Sequence, residues 1–263
     1  MAWTLDDIAW DRFDRAAIDP EIVPLVKAAA LVEVNSDDYV AYLRNVFADD
    51  PEFCEAAEHW GAEEKQHGLA LGRWAEMADP DFDFAAARAR FRKIYRLPLE
   101  AQESVRGSRA GELISRCVVE CGTSSLYSAL RDASAEPVLK QISQRIAGDE
   151  FRHYQLFRSH LQRYPRPPLW RRAAVVLGRV LETGDDELSG AWHAANVIDG
   201  PYVRRSCARA YERHAMRLYR QGHVARMVAM MLKAIDVGPQ SRIARIVQRM
   251  AWRVISLRAR PAA

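Results

Sequence analysis

This chain lacks long apolar runs. No stretch of its 263 residues reaches the roughly eighteen uninterrupted apolar positions that a transmembrane helix needs. Cysteine is scarce, and Cys54, Cys117, Cys121 and Cys207 form no Cys-x-x-Cys pair. They are expected as reduced thiols of a cytoplasmic protein, and neither a rubredoxin-type iron site nor a zinc ribbon is expected without such pairs. The first residues, Met1-Ala2-Trp3-Thr4-Leu5-Asp6-Asp7, are acidic and lack the basic region and apolar run of a signal peptide. No segment alternates at period two, so strands are not expected. No fixed-period repeat appears either, which argues against a solenoid.

Lysine is nearly absent. Only Lys27, Lys65, Lys93, Lys140 and Lys233 stand among 38 basic residues. The arginines concentrate after Pro165-Arg166-Pro167-Pro168, where residues 166–263 hold 18 Lys and Arg against 7 acids. Such a segment can meet an acidic protein, an anionic membrane or nucleic acid, or simply form a solvated face over the core. No nucleic-acid motif accompanies it, and a nucleic-acid partner is not expected. The break suggests a region of residues 1–165 followed by an Arg-rich helical extension, 166–263, packed on it. With 49% hydrophobic and 28% charged residues, the composition is that of a globular protein.

Proline and glycine cut the sequence into helix-length pieces. Asp19-Pro20-Glu21 reads as a helix start, with the helix running to about residue 48 despite Pro24 in its first turns. Asp50-Pro51-Glu52 repeats that start and opens a second helix, which Asp79-Pro80 ends. A crossover helix is expected over residues 82–96, a third long helix over 102–131, and a fourth from Pro137 to Tyr164. Thr183-Gly184, Gly200-Pro201, Gly222 and Gly238-Pro239 separate four or five further pieces. In the last, Ile243, Ile246, Val247, Met250, Val254 and Leu257 share one side. Packing of that side on the bundle is the expectation, and binding to a membrane surface the alternative.

The organising stretch is Asp149-Glu150-Phe151-Arg152-His153. Glu150 and His153 lie three residues apart, which puts both on one helix face. Glu64-Lys65-Gln66-His67 repeats the spacing, and Glu33 and Glu120 lie on two other expected helices. Seventeen Glu and seven His residues yield roughly half of one Glu-x-x-His pair by chance, so the order adds more than the pairs do. Glu, Glu-x-x-His, Glu and Glu-x-x-His on four helices form the set by which a bundle core holds two metal ions. Carboxylate and imidazole together suit iron, or a manganese–iron pair, better than structural zinc.

Neighbouring residues fit supporting roles. Metal-bound His donates its other N–H to an acid or a carbonyl, which suggests a crossed pattern: Asp149 on His67 and Glu63 on His153, with Arg152 neutralising an outer acid. Thr123 lies one turn beyond Glu120, where its hydroxyl either meets bound oxygen or bonds its own helix. Cys117 and Cys121 are expected in the core.

Trp60-Gly61-Ala62-Glu63-Glu64-Lys65-Gln66-His67-Gly68 resembles the second-helix motif of soluble acyl-acyl-carrier-protein desaturases. Asp149-Glu150-Phe151-Arg152-His153 is similar to their fourth-helix motif, and Glu33, Glu120 and Thr123 match further positions. The Glu-x-x-His pairs alone are shared with ribonucleotide reductase small subunits, multicomponent monooxygenases and rubrerythrins. The resemblance covers roughly residues 25–165. It implies an all-α fold, a ferritin-like four-helix bundle with additional C-terminal helices. It further implies two iron ions held by Glu33, Glu64, His67, Glu120, Glu150 and His153, dioxygen as co-substrate, and Thr123 and Asp149 tuning oxygen and proton delivery. An acyl carrier protein substrate, a ferredoxin-type electron donor and a homodimer follow from the same likeness. The basic extension would suit an acidic carrier protein. The competing readings are a di-iron hydroxylase or N-oxygenase of a small metabolite or tRNA base, a ferritin-like iron or peroxide handler, and a metal-free helical interaction module.

Overall fold

The computed structural model describes residues 3–182 and 186–259, and among these the chain is all helical, without strands. The long helices are α1 (Val23–Glu33), α2 (Ser36–Val46), α3 (Pro51–Ala78), α4 (Phe84–Ile94), α5 (Arg109–Ala133) and α6 (Pro137–Leu161). They are followed by α7 (Leu169–Leu181), α8 (Asp186–Asn196), α9 (Arg204–Met216), α10 (Gln221–Ala234) and α11 (Arg242–Arg258). No helix of the described residues is long and apolar enough to cross a membrane.

The sequence signals for α3 and α6 act as caps. Asp50 accepts the Phe53 amide and Pro51 opens α3. Glu136 accepts the amides of Val138 and Leu139 ahead of Pro137. Such caps satisfy donors that the first turn leaves orphaned.

The expected first helix is instead two. It starts at Val23 rather than Pro20, because a start at Pro20 would set Pro24 well inside the helix, where its missing N–H and its ring are not tolerated. Asp19 and Glu21 form a turn, closed by the Glu21 amide on Asp19 Oδ1. The helix then breaks at Val34 and Asn35, where α3 comes so near that only glycine, Gly68, fits opposite Val34. The third long helix also starts later than expected, at Arg109. Gly107 turns the chain with φ +77°, and Ser108 caps the Gly111 amide.

Beyond residue 166, α7 and α10 pack on α5, α8 packs on α1 and α4, and α9 packs on α8 and α1. Gly200 does separate α8 from α9. Gly222, by contrast, lies inside α10 rather than between helices, and Thr183-Gly184 falls outside the described residues. The last helix is the larger departure: the side of α11 expected to pack on the bundle is exposed, and α11 rests on α9 and α10 through another side.

The core is divided in two. One apolar cluster holds Leu31, Leu71, Trp74, Tyr127, Leu130 and Ile146. The other holds Leu43, Phe53, Trp60, Leu113, Cys117 and Phe157. Between these two clusters lie Glu64 and His67 on α3 and Glu150 and His153 on α6, while Glu120 on α5 sits beside Cys117 and Cys121 of the second cluster.

Candidate metal centre

Four helices carry those side chains inward. Glu33 ends α1, Glu64 and His67 lie in mid-α3, Glu120 in α5, and Glu150 and His153 in α6. None of the six is more than 7% exposed. Burying four carboxylates costs heavily unless countercharge is supplied.

Their geometry divides them into two overlapping groups. Glu33, Glu64, His67 and Glu150 bring one ligand atom each within 4.8 Å of one another, and Glu64, Glu120, Glu150 and His153 do the same. Glu64 and Glu150 belong to both.

Each of the six residues presents one atom that no hydrogen bond engages. Glu33 Oε2, Glu64 Oε1, His67 Nδ1, Glu120 Oε2, Glu150 Oε1 and His153 Nδ1 are all buried without a hydrogen-bond partner. His67 Nδ1 approaches Glu150 Oε1 to 3.2 Å and His153 Nδ1 approaches Glu64 Oε1 to 3.0 Å, yet neither contact has hydrogen-bond alignment. Buried polar atoms are nearly always paired. One orphan on each of six residues, all facing a common centre, fits a pair of divalent cations, whose charge would match the four carboxylates.

The remaining polar atoms are engaged from behind. His67 Nε2 lies 2.9 Å from Asp149 Oδ2, and His153 Nε2 lies 2.7 Å from Glu63 Oε2. Arg152 donates to Asp149 Oδ1 at 2.5 Å and stands 3.9 Å from Glu63. Thr123 Oγ1 donates to Glu150 Oε2 at 2.5 Å, with the carbonyls of its own helix at 3.2 and 3.3 Å.

Two further partners were missed in the sequence. Tyr127 donates to Glu33 Oε1. Its spacing from Glu120 and Thr123 was a legible signal, since all three share one face of α5. Trp3 donates to Asp149 Oδ2 at 2.6 Å and stacks on His67. Nothing local marks a residue 146 positions away from its partner.

Beside the centre lies a cavity of about 50 Å³. Glu33, Glu64, Glu120, Glu150 and Thr123 form one wall, and Tyr39, Arg116, Arg179 and Glu187 stand in the others. Arg179 and Glu187 come from α7 and α8, so the Arg-rich extension contributes to the site. Arg116 is 6% exposed and lies over the Tyr39 ring, and its Nε has no hydrogen-bond partner. Arg116 Nε stands 3.7 Å from Glu112 Oε1, while Glu112 Oε2 accepts from Tyr42 and Ser104.

Without metal, protons must take up part of the charge. Burial, then the charges of Glu120 and Glu33, push the Glu150 carboxyl up from an ordinary 4.5 to about 8. Burial and the charges of Glu150 and Glu33 raise Glu64 well above its usual range. For the histidines burial acts the other way. It is outweighed at His67 by Asp149, Glu150 and Glu33, and at His153 by Glu120, Glu63 and Glu64, so both are raised well above 6.5. Glu33 is lowered despite its burial, by Glu64 and His67.

A group raised on folding adds stability that is complete below its unfolded pKa and is lost as pH rises through its folded pKa. For Glu150 that window runs from 4.5 to about 8, and Glu64, His67 and His153 act in the same direction. Glu33 acts oppositely, its contribution being lost only as pH falls below 4.5. The chelated protein should therefore melt at steadily lower temperature as pH is raised from about 5.5 to about 9, followed by circular dichroism. Divalent metal should abolish that fall; an equal fall with and without metal would mean that the six residues do not hold the ions.

No protein-family model matches this sequence, and no curated protein matches it significantly.

Proposed function

We propose that this chain is a di-metal, oxygen-dependent oxidoreductase, with two irons, or a manganese–iron pair, at the centre. The observation that carries the reading is the set of six orphaned ligand atoms in two groups sharing Glu64 and Glu150. Two redox-active ions so held would supply, with an external electron donor, the reduction of dioxygen to an oxidant able to attack a C–H or N–H bond, chemistry that no side chain performs alone.

The chain's own residues prepare that chemistry. With Asp149 and Glu63 accepting the Nε2 protons, both imidazoles offer a bare Nδ1 to the centre. Asp149 meets His67 at Nε2 and so acts as a positioning residue, while Thr123 lines the cavity and holds a proton against Glu150 Oε2. The apolar clusters at either end exclude water from the centre.

The resemblance favours a carrier-bound acyl chain as substrate, with a ferredoxin-type donor and the basic extension facing an acidic carrier protein. The cavity's size favours the second reading, a compact substrate that is hydroxylated or N-oxygenated. About 50 Å³, in which Arg116, Arg179 and Glu187 share the walls with Val32, Trp60 and Val119, suits a small molecule with a carboxylate and an apolar remainder better than a long alkyl chain. Arg116 is the residue that would hold its carboxylate.

The test is the iron content of protein from iron-supplemented cells, set beside the Glu64→Ala/Glu150→Ala double variant. About two irons per chain, lost from the variant, is the expected result, and justifies measuring oxygen uptake with compact carboxylates and with acyl carriers in parallel. A folded, helical wild type with metal near zero would sink the reading.

A further inference from the structure

Helix α11 carries an apolar stripe that the fold leaves uncovered. Ile243, Ile246, Met250, Val254 and Leu257 are 62%, 56%, 62%, 48% and 60% exposed. Their spacing of three and four residues lines them along one side of the helix. A different side makes the contact with the protein: Ala244 is fully buried, Gln248 donates to the Ala225 carbonyl of α10, and Arg258 pairs with Glu212 of α9. The helix is therefore held in place with its apolar stripe outward.

The charge on this helix is one-sided. By helical position Arg242, Arg249 and Arg253 follow one margin of the stripe, with Arg245 behind them, and Arg258 stands on the other. No Asp or Glu occurs between Arg242 and Arg258. An exposed apolar stripe edged by cations needs a surface that is apolar within and anionic at its border.

We propose that this face docks on an anionic lipid surface, with the helix lying in the plane of the headgroups. The apolar stripe would enter the acyl boundary while the arginines meet lipid phosphates at its edge. Insertion across the bilayer does not fit a helix of 17 residues carrying five arginines. A second copy of this chain fits poorly as well, because α11 would bring cations against cations with no acid of its own to pair them. The inference rests on α11 alone and stands apart from the metal-centre reading.

The experiment is co-sedimentation of the full chain with vesicles, either phosphatidylcholine alone or phosphatidylcholine mixed with phosphatidylglycerol, at about 0.1 M and about 0.5 M salt. The variants are Ile246→Glu/Met250→Glu and Arg249→Gln/Arg253→Gln. All four positions are exposed, so the fold should persist, and circular dichroism checks that it does. Binding to the mixed vesicles is expected, weakened by salt and by the arginine variant, and lowered at least about tenfold by the glutamate variant. Absence of binding to the mixed vesicles, equal binding to both compositions, or a glutamate variant that binds like wild type would each overturn the proposal. So would a lipid-free dimer that the glutamate variant converts to monomer while wild type ignores vesicles, since that result gives the face to a second copy.

Discussion

Gly68→Ala should destabilise the fold by about 3 kcal/mol and loosen the candidate metal centre at Glu33. A methyl group at Gly68 would sit 2.7 Å from Val34 Cα and closer still to the Val34 amide nitrogen. Those are backbone atoms at the break between α1 and α2, and they cannot move aside as a side chain would. Relief requires α3 and the α1–α2 corner to separate. Glu33 is the residue before that corner, and its Oε2 lies 3.8 Å from His67 Nδ1, one position before Gly68. Metal bound by Glu33 and His67 should therefore fall together with stability, whereas Glu120 and His153 are not touched directly.

Gly148→Ala provides the opposite sign. It lies on an exposed turn of α6 beside Asp149, and an added methyl group there meets nothing within 4 Å. The gain is the helix-propensity difference, up to about 1 kcal/mol. Urea unfolding and metal content of the two variants decide the matter. A Gly68→Ala protein as stable and as metal-rich as Gly148→Ala would refute the close approach of α3 to Val34.

Glu136→Ala should cost about 3–5 kcal/mol, although the residue belongs to neither Glu-x-x-His pair. Glu136 is 1% exposed. Its two oxygens accept from four donors: the amides of Asp14, Val138 and Leu139, and the indole of Trp74. One carboxylate thus caps α6, anchors the N-terminal segment and ties down α3. Truncation leaves four buried or half-buried donors without a partner, and the penalty for each adds to the loss of the cap. Glu136→Gln keeps one acceptor oxygen but turns an amide N–H₂ toward donors, so it should recover only part of the stability. Urea denaturation with an unchanged slope is the appropriate measurement. A cost under about 1 kcal/mol for Glu136→Ala would show that water replaces the carboxylate.

Much of this architecture was legible in the sequence because its signals are local. Asp50-Pro51 and Pro137 mark helix starts through the orphaned amides of a first turn and the tolerance of proline there, although the capping role of Glu136 was not anticipated. The Glu-x-x-His spacing puts two side chains on one face through helix geometry alone. Asp149 and Glu63 lie next to the residues whose partners they meet, so the crossed hydrogen bonds to His67 and His153 could be anticipated from adjacency. The likeness of Trp60 to Gly68 to a desaturase motif pointed to Gly68 but gave no reason for glycine. The reason is the Val34 backbone opposite it, which no local pattern reveals.

What the sequence by itself determined is where most of the helices lie and which residues share a face of each. Pro24, for instance, delays α1 wherever the helix is later packed. Which face is covered is a different matter, because periodicity belongs to one helix and burial belongs to its neighbours. On α11 Ile243, Ile246, Val247, Met250, Val254 and Leu257 share a side as the sequence requires. The positions of α9 and α10 nonetheless cover the side of Ala244 and Gln248 and leave the apolar one open. The break at Val34, the contact of Trp3 with Asp149 and the Arg116 wall of the cavity were decided in the same way, by helices distant in sequence meeting in space.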